Sequence, residues 1–124
     1  MGSIFVLSDT EEGGHYSLGR RTNVIGRMKA LPIHILDEHL SRKHVQIRFD
    51  SQKRCYYAFD MKSRHGVSIN GTRITEDTAL SDGDEIRIGA TTILFTTSDF
   101  PNYETALSYW KKVTENRPKK PLSS

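Results

Sequence analysis

The chain has 124 residues, 35% of them hydrophobic, and a formal net charge of +3 with one cysteine. A chain of this length is expected to form one domain that buries roughly two thirds of its unfolded surface, and a single cysteine excludes an internal disulfide framework. Residues 98–124 hold five Lys/Arg against three Asp/Glu, and residues 1–97 hold thirteen against twelve, so the body is close to neutral and lacks the broad basic field of a nucleic-acid binder.

The body reads as a series of short strands. Ile4-Phe5-Val6-Leu7 is a brief apolar run, and Glu11-Glu12-Gly13-Gly14 is a turn. His15–Leu18 and Asn23–Gly26 follow, with Gly19-Arg20-Arg21 between them, and Pro32 precedes a third segment, Ile33–Leu36. From His44 the chain alternates Val45, Ile47, Phe49 against Gln46, Arg48, the mark of a half-buried strand over 44–49. The turn Asp50–Lys53 leads to a strand over 54–60. Val67–Ile69 and Thr72–Ile74 flank Asn70-Gly71, a pair that predicts a type I′ hairpin because both central residues need positive φ. Asp82-Gly83-Asp84 is a further turn, before strands over 85–88 and 91–96. Many short strands with frequent turn signals predict an all-β sandwich or barrel.

The chain then changes character. Ser98-Asp99-Phe100-Pro101 offers a cap and a first-turn proline, and Tyr103, Ala106, Leu107, Trp110 and Val113 recur at helical spacing. One amphipathic helix is expected over 101–115, its stripe packed either on the sandwich or on a following domain. Arg117-Pro118-Lys119-Lys120-Pro121 reads as a linker. The expected organisation is therefore a β body over 1–97, a helical segment over 98–116 and a flexible tail over 117–124, which leads into a longer protein. No stretch approaches the ~18 apolar residues of a membrane span, and Met1–Val6 has none of the regions of a signal peptide. Together with Cys55, expected to be a buried structural thiol, this predicts a cytoplasmic, reducing setting.

The chemistry concentrates in D-E-H-L-S-R-K-H, residues 37–44. A Ser41/His44 nucleophile and base would need converging side chains and a third group to orient the base, and residues three apart on an extended segment face opposite ways. No G-x-S-x-G elbow precedes the serine. His34, His39 and His44 recur every five residues, which matches neither a strand face nor a helix face, so a metal corner is not expected. An oxyanion cradle fits better. Ser41 offers a hydroxyl, Arg42 and Lys43 offer charge, Arg27 follows a glycine at a strand end, and Lys62-Ser63-Arg64-His65-Gly66 is a third polar loop ahead of a strand. A phosphate brings about −1.5 to −2 charge and three strong acceptors, which guanidinium and hydroxyl donors suit. Residue types alone leave two readings open: such a cradle, or unrelated solvated loops.

The order and spacing of the motifs are more specific. Gly26-Arg27, Ser41-Arg42-x-His44, Asp60-x-x-Ser63-x-x-Gly66, Asn70-Gly71 and Leu80-x-x-Gly83-Asp84-x-Ile86-x-x-Gly89 resemble the forkhead-associated (FHA) domain, over about residues 4 to 96. The resemblance implies an eleven-stranded β-sandwich with phosphothreonine-binding loops at one end, no catalytic residue, no metal and no cofactor. Its partner would be a threonine-phosphorylated protein or peptide, with no role for nucleic acid or membrane. The resemblance makes Arg27 and Ser41 phosphate contacts, Arg42 a grip on phosphate or peptide, and His44, with Gly26, Gly66 and Asn70, structural support. Selectivity for the peptide is assigned to His39, with no charge preference fixed. The family usually has S-x-N-G-T in the third loop, where this chain reads Ser63-Arg64-His65-Gly66-Val67. Arg64 then stands where a phosphate-contacting threonine is common, and His65 replaces the asparagine that holds the peptide backbone. The literal match Ser68-Ile69-Asn70-Gly71-Thr72 is the rival register; the first is preferred because it keeps Asp60 in place and makes Asn70-Gly71 the hairpin turn. The alternative function on the same fold is phosphate-independent interaction or dimerisation, motivated by His65 and by Trp110 on the helix.

Overall fold

The computed structural model describes residues 2–7, 14–98, 100 and 103–115, without the side chains of residues 103, 110 and 113–115. Among these residues eleven strands and one helix form, in the order β1 (Ser3–Val6), β2 (His15–Ser17), β3 (Thr22–Gly26), β4 (Ile33–His34), β5 (Val45–Asp50), β6 (Cys55–Asp60), β7 (Val67–Ile69), β8 (Thr72–Arg73), β9 (Thr78–Ala79), β10 (Glu85–Ile88), β11 (Thr91–Thr96) and α1 (Tyr103–Glu115). They make two sheets, one in the order β2-β1-β11-β10-β7-β8 and the other β4-β3-β5-β6-β9. β3 and β4 run parallel; the other pairings within the two sheets are antiparallel.

The alternation read in the sequence decides which side chains enter the core. Val45 and Ile47 are buried, and Gln46 and Arg48 face outward. In register with them on β6, Tyr56 and Ala58 are buried, and Phe49 is half-buried against Tyr56. The facing sheet contributes Ile4, Val6, Ile86, Ile88, Ile93 and Phe95. Cys55 departs from expectation: it is half-buried, at the start of β6, where the strand has not yet entered the core. The expected strand over 33–36 is only Ile33–His34: its partner β3 ends at Gly26, whose carbonyl still accepts the Ile35 N–H (3.1 Å), and Leu36 is exposed. The short β9 carries no alternation of its own and was not foreseen; it pairs Ala79 and Thr78 with Tyr57 and Ala58.

β1 and β11 are apolar on both faces for a second reason. Ile4, Val6, Ile93 and Phe95 point into the sandwich, while Phe5 and Leu94 point out and are covered by Ala106, with Leu7, Phe100 and Tyr109 around them. The stripe of α1 thus rests on the sandwich. Phe5 meets Phe100 edge-on and Tyr109 at a tilt, with 5.6 Å between ring centroids in each case. His15 joins this cluster against Phe5 and Phe100, and burial pushes its pKa below the usual value. The side chains of Tyr103, Trp110 and Val113, expected in the same stripe, lie outside the described residues, as do residues 116–124. Among the described residues no helix is long and apolar enough to cross a membrane.

Topology sorts the loops. β3 ends where β5 begins, at Ile25 opposite Val45, and Val45 pairs in turn with Asp60 at the end of β6. Val67 at the start of β7 pairs with Ile88 at the end of β10. The segments after Gly26, before Val45, after Asp60 and after Ile88 therefore leave the sandwich at one end. The β7–β8 turn lies at the other. There Asn70 and Gly71 have φ of 51° and 86°, the pair of positive values that a type I′ turn requires. Asn70 also braces that turn on β10, donating from Nδ2 to Asp84 Oδ1 (2.9 Å) and accepting from the Glu85 N–H (3.0 Å).

Candidate functional site

Three loops converge at the first end. Gly26 closes β3 directly beneath the segment 41–42: a Cβ there would sit 2.1 Å from the Arg42 carbonyl oxygen. The backbone amides of Arg27 and Met28 donate to the carbonyls of Ser41 and Arg42 at 3.1 and 3.3 Å, so the two segments run side by side. Arg27 Nε donates to the Leu40 carbonyl (3.1 Å), which orients the guanidinium and leaves its Nη nitrogens for a ligand.

His44 is fully buried and fixes the second loop to the third. Its Nδ1 accepts from the Ser41 N–H (3.1 Å), so Nε2 carries the proton and donates to the Gly66 carbonyl (2.8 Å). Both ring nitrogens are thus bonded to the backbone, and neither faces the Ser41 hydroxyl. Ser41 Oγ instead accepts from the Arg64 N–H at 2.9 Å, which keeps the hydroxyl's own proton for a ligand. The third loop is a compact turn: Ser63 N–H donates to Asp60 Oδ1 (2.9 Å) and Gly66 N–H to Ser63 Oγ (3.0 Å). Gly66 adopts φ +78°, and a side chain there would press on the Arg73 guanidinium.

The structure therefore brings Gly26, Arg27, Ser41, Arg42, His44, Arg64 and Gly66 into one hydrogen-bonded unit, with the side chains of Arg27, Arg42 and Arg64 exposed around a half-buried Ser41. His39 and His65 meet beside it, ring centroids 6.1 Å apart and edge to face. Asn70 is not part of this unit; it sits at the far end of β7 and supports the opposite turn. Among the described residues no group of three or more His, Cys, Asp or Glu could hold a metal ion.

Asp37 has no role of its own in the sequence reading, but the structure gives it one. Its Oδ1 accepts from the His39 N–H (2.8 Å), and its Oδ2 accepts from the Ala90 N–H (2.9 Å) and the Thr91 hydroxyl (2.7 Å). It ties the second loop to the β10–β11 turn. Burial pushes its pKa up, but the bonds from Thr91, His39 and Ala90 and the His39 charge outweigh this and hold it below the usual 3.8. A carboxylate depressed in the folded state stabilises fully above its unfolded pKa and loses that contribution as pH falls through the folded value. Asp37→Asn is expected to lower stability near neutral pH by about 1 kcal/mol, a value discounted for partial exposure. It should also flatten the stability profile below pH ~4. Denaturant midpoints across pH 2.5–7 check both.

The family model described as FHA domain matches residues 23–89. The chain belongs to the FHA family. FHA domain-containing protein FhaA of Mycobacterium tuberculosis is 33% identical over 92 residues, covering 74% of this chain and 17% of that protein, so the chain spans about a sixth of that relative's length. A solved structure described as an analysis of phosphothreonine-dependent FHA domain interactions matches with a TM-score of 0.70 and 28% identity, over 80% of this chain and 98% of that one. The FhaA FHA domain complexed with the intracellular domain of Rv3910 matches with a TM-score of 0.68 and 29% identity, over 77% and 99% of the two chains. The two-sheet sandwich, followed among the described residues by one helix, matches the FHA fold.

Proposed function

We propose that this FHA domain is a phosphothreonine-dependent peptide- or protein-binding module of a signalling or regulatory protein, acting without catalysis in a reducing, cytoplasmic setting. Its partner is a threonine-phosphorylated protein. The carrying observation is the junction of three loops at Ser41, whose carbonyl takes the Arg27 amide while its hydroxyl takes the Arg64 amide. Arg27 and Ser41 donate to phosphate oxygens, Arg42 and Arg64 add charge at the rim, and His65 contacts the peptide. Neutral His44, with both nitrogens on the backbone, serves as the brace. The relatives described as phosphothreonine-dependent and as bound to an intracellular domain support the same reading.

A hydrogen bond to a charged group is worth about 1.5–3 kcal/mol, so Arg27→Ala should weaken binding of a phosphothreonine peptide about ten- to a hundredfold. Calorimetric titration of wild type and variant with phosphothreonine, phosphoserine and unmodified threonine peptides tests this. Phosphothreonine is expected to bind best, because phosphoserine lacks the methyl group and threonine the charge. Equal affinity for phosphorylated and unmodified peptides would overturn the reading.

A further inference from the structure

Beside the cradle lies a depression of about 270 Å3 lined by His39, His65, Arg87, Gly89 and Ala90. We propose that this depression selects an acidic side chain in the bound peptide and that Arg87 sets the preference; the inference rests on the phosphopeptide reading above. Three of the five lining residues are basic and none is acidic. Histidine by itself fixes no charge preference, since it changes protonation across pH 5–8, whereas arginine is always charged. Arg87 therefore decides the sign.

Its position in the sheet explains why the cation is available. Arg87 is exposed on β10, in register with Ser68 of β7, and Ser68 is paired on its other side with Arg73 of β8. Arg73 in turn lies over Gly66. Arg73 and Arg87 thus flank Ser68 across the sheet between the third loop and β10, and among the described residues Arg87 has no carboxylate partner. The carboxylate in contact with this wall is Asp37, and both its oxygens are bonded to His39, Ala90 and Thr91. It shapes the floor, and among the described residues no ion pair joins it to Arg87. Gly89 completes the floor with φ +55°; a Cβ there would stand 3.1 Å from the His39 backbone, so a side chain would push the turn and residue 39 apart by a few tenths of an ångström.

A phosphothreonine peptide library, randomised on both sides of the phosphorylated residue, tests the inference on the wild-type chain, Arg87→Ala and Arg87→Glu. Both substitutions are on the surface, and thermal melts verify that each variant folds. Wild type should enrich Asp and Glu at one position. Arg87→Ala should lose that enrichment, and Arg87→Glu should replace it with Lys and Arg. A single acidic peptide should bind Arg87→Ala about three- to fivefold more weakly, the scale of an exposed ion pair, while its alanine counterpart binds both proteins alike. Absence of acidic enrichment in wild type, or its persistence in Arg87→Glu, overturns the pocket assignment and leaves phosphothreonine binding standing. Retention of no phosphothreonine peptide overturns both.

Discussion

His44→Ala is expected to lower the stability of the domain by about 4 kcal/mol, the largest loss from any single side chain at the cradle. The ring is fully buried and links two loops through opposite nitrogens. Its removal strands the Ser41 N–H and the Gly66 carbonyl, each at about 1–3 kcal/mol, and leaves a void between them. Asparagine and glutamine separate the two links. In His44→Asn the new amide oxygen lies near the position of Nδ1 and can still accept from Ser41. In His44→Gln the new amide nitrogen lies near Nε2 and can still donate to Gly66. These two variants should therefore each lose about half as much as His44→Ala. Guanidinium denaturation measures all three. Phosphopeptide affinity should fall together with the Ser41 link, so His44→Asn retains more binding than His44→Gln. A midpoint unchanged in His44→Ala would remove the histidine from the framework.

Much of the architecture is legible because its signals are local. The alternation from Val45 to Phe49 foretells which side of β5 enters the core, and Asn70-Gly71 foretells a turn whose φ values are both positive. β9 is missed for the opposite reason: two residues carry no period, and Thr78 and Ala79 become a strand only because Tyr57 and Ala58 present free edge groups. The helix was legible in its spacing, but its seat was not. That Phe5 and Leu94 form an outward apolar patch depends on β1 pairing with β11, and these strands are nearly ninety residues apart in sequence.

The candidate site divides in the same way. Arg27, Ser41, Arg42, His44 and Arg64 can be picked out by motif spacing, and the structure gathers them. What spacing cannot give is the detail of the contacts. Ser41 works through its amide, carbonyl and hydroxyl at once, and the hydroxyl's partner is the backbone of Arg64, which any residue could supply. Asp37 and Arg87 carry no motif. Asp37 gains its role from the β10–β11 turn. Arg87 looks like an ordinary outward residue of an alternating strand until the fold sets it beside His39 and His65.

Gly26→Ala is expected to cost about 3 kcal/mol and to abolish phosphopeptide binding at the same time, although no ligand-facing side chain is changed. The added methyl would stand 2.1 Å from the Arg42 carbonyl oxygen, 2.8 Å from its carbon and 3.0 Å from Leu31 Cδ1. Leucine can turn aside; the carbonyl cannot, because it accepts the Met28 amide and its neighbour accepts the Arg27 amide. Relief comes only by parting the two segments, and overpacking of this kind costs about 1–3 kcal/mol or more. The parting carries Ser41 away from Arg27, so binding is lost with stability. Gly71→Ala is the control. It has open space around the added methyl but a φ of +86°, so it should cost only about 1 kcal/mol through backbone strain and leave binding intact at the other end of the sandwich. If melts and peptide titrations place the two variants on a par, the close approach of strand and loop is not what holds the cradle together.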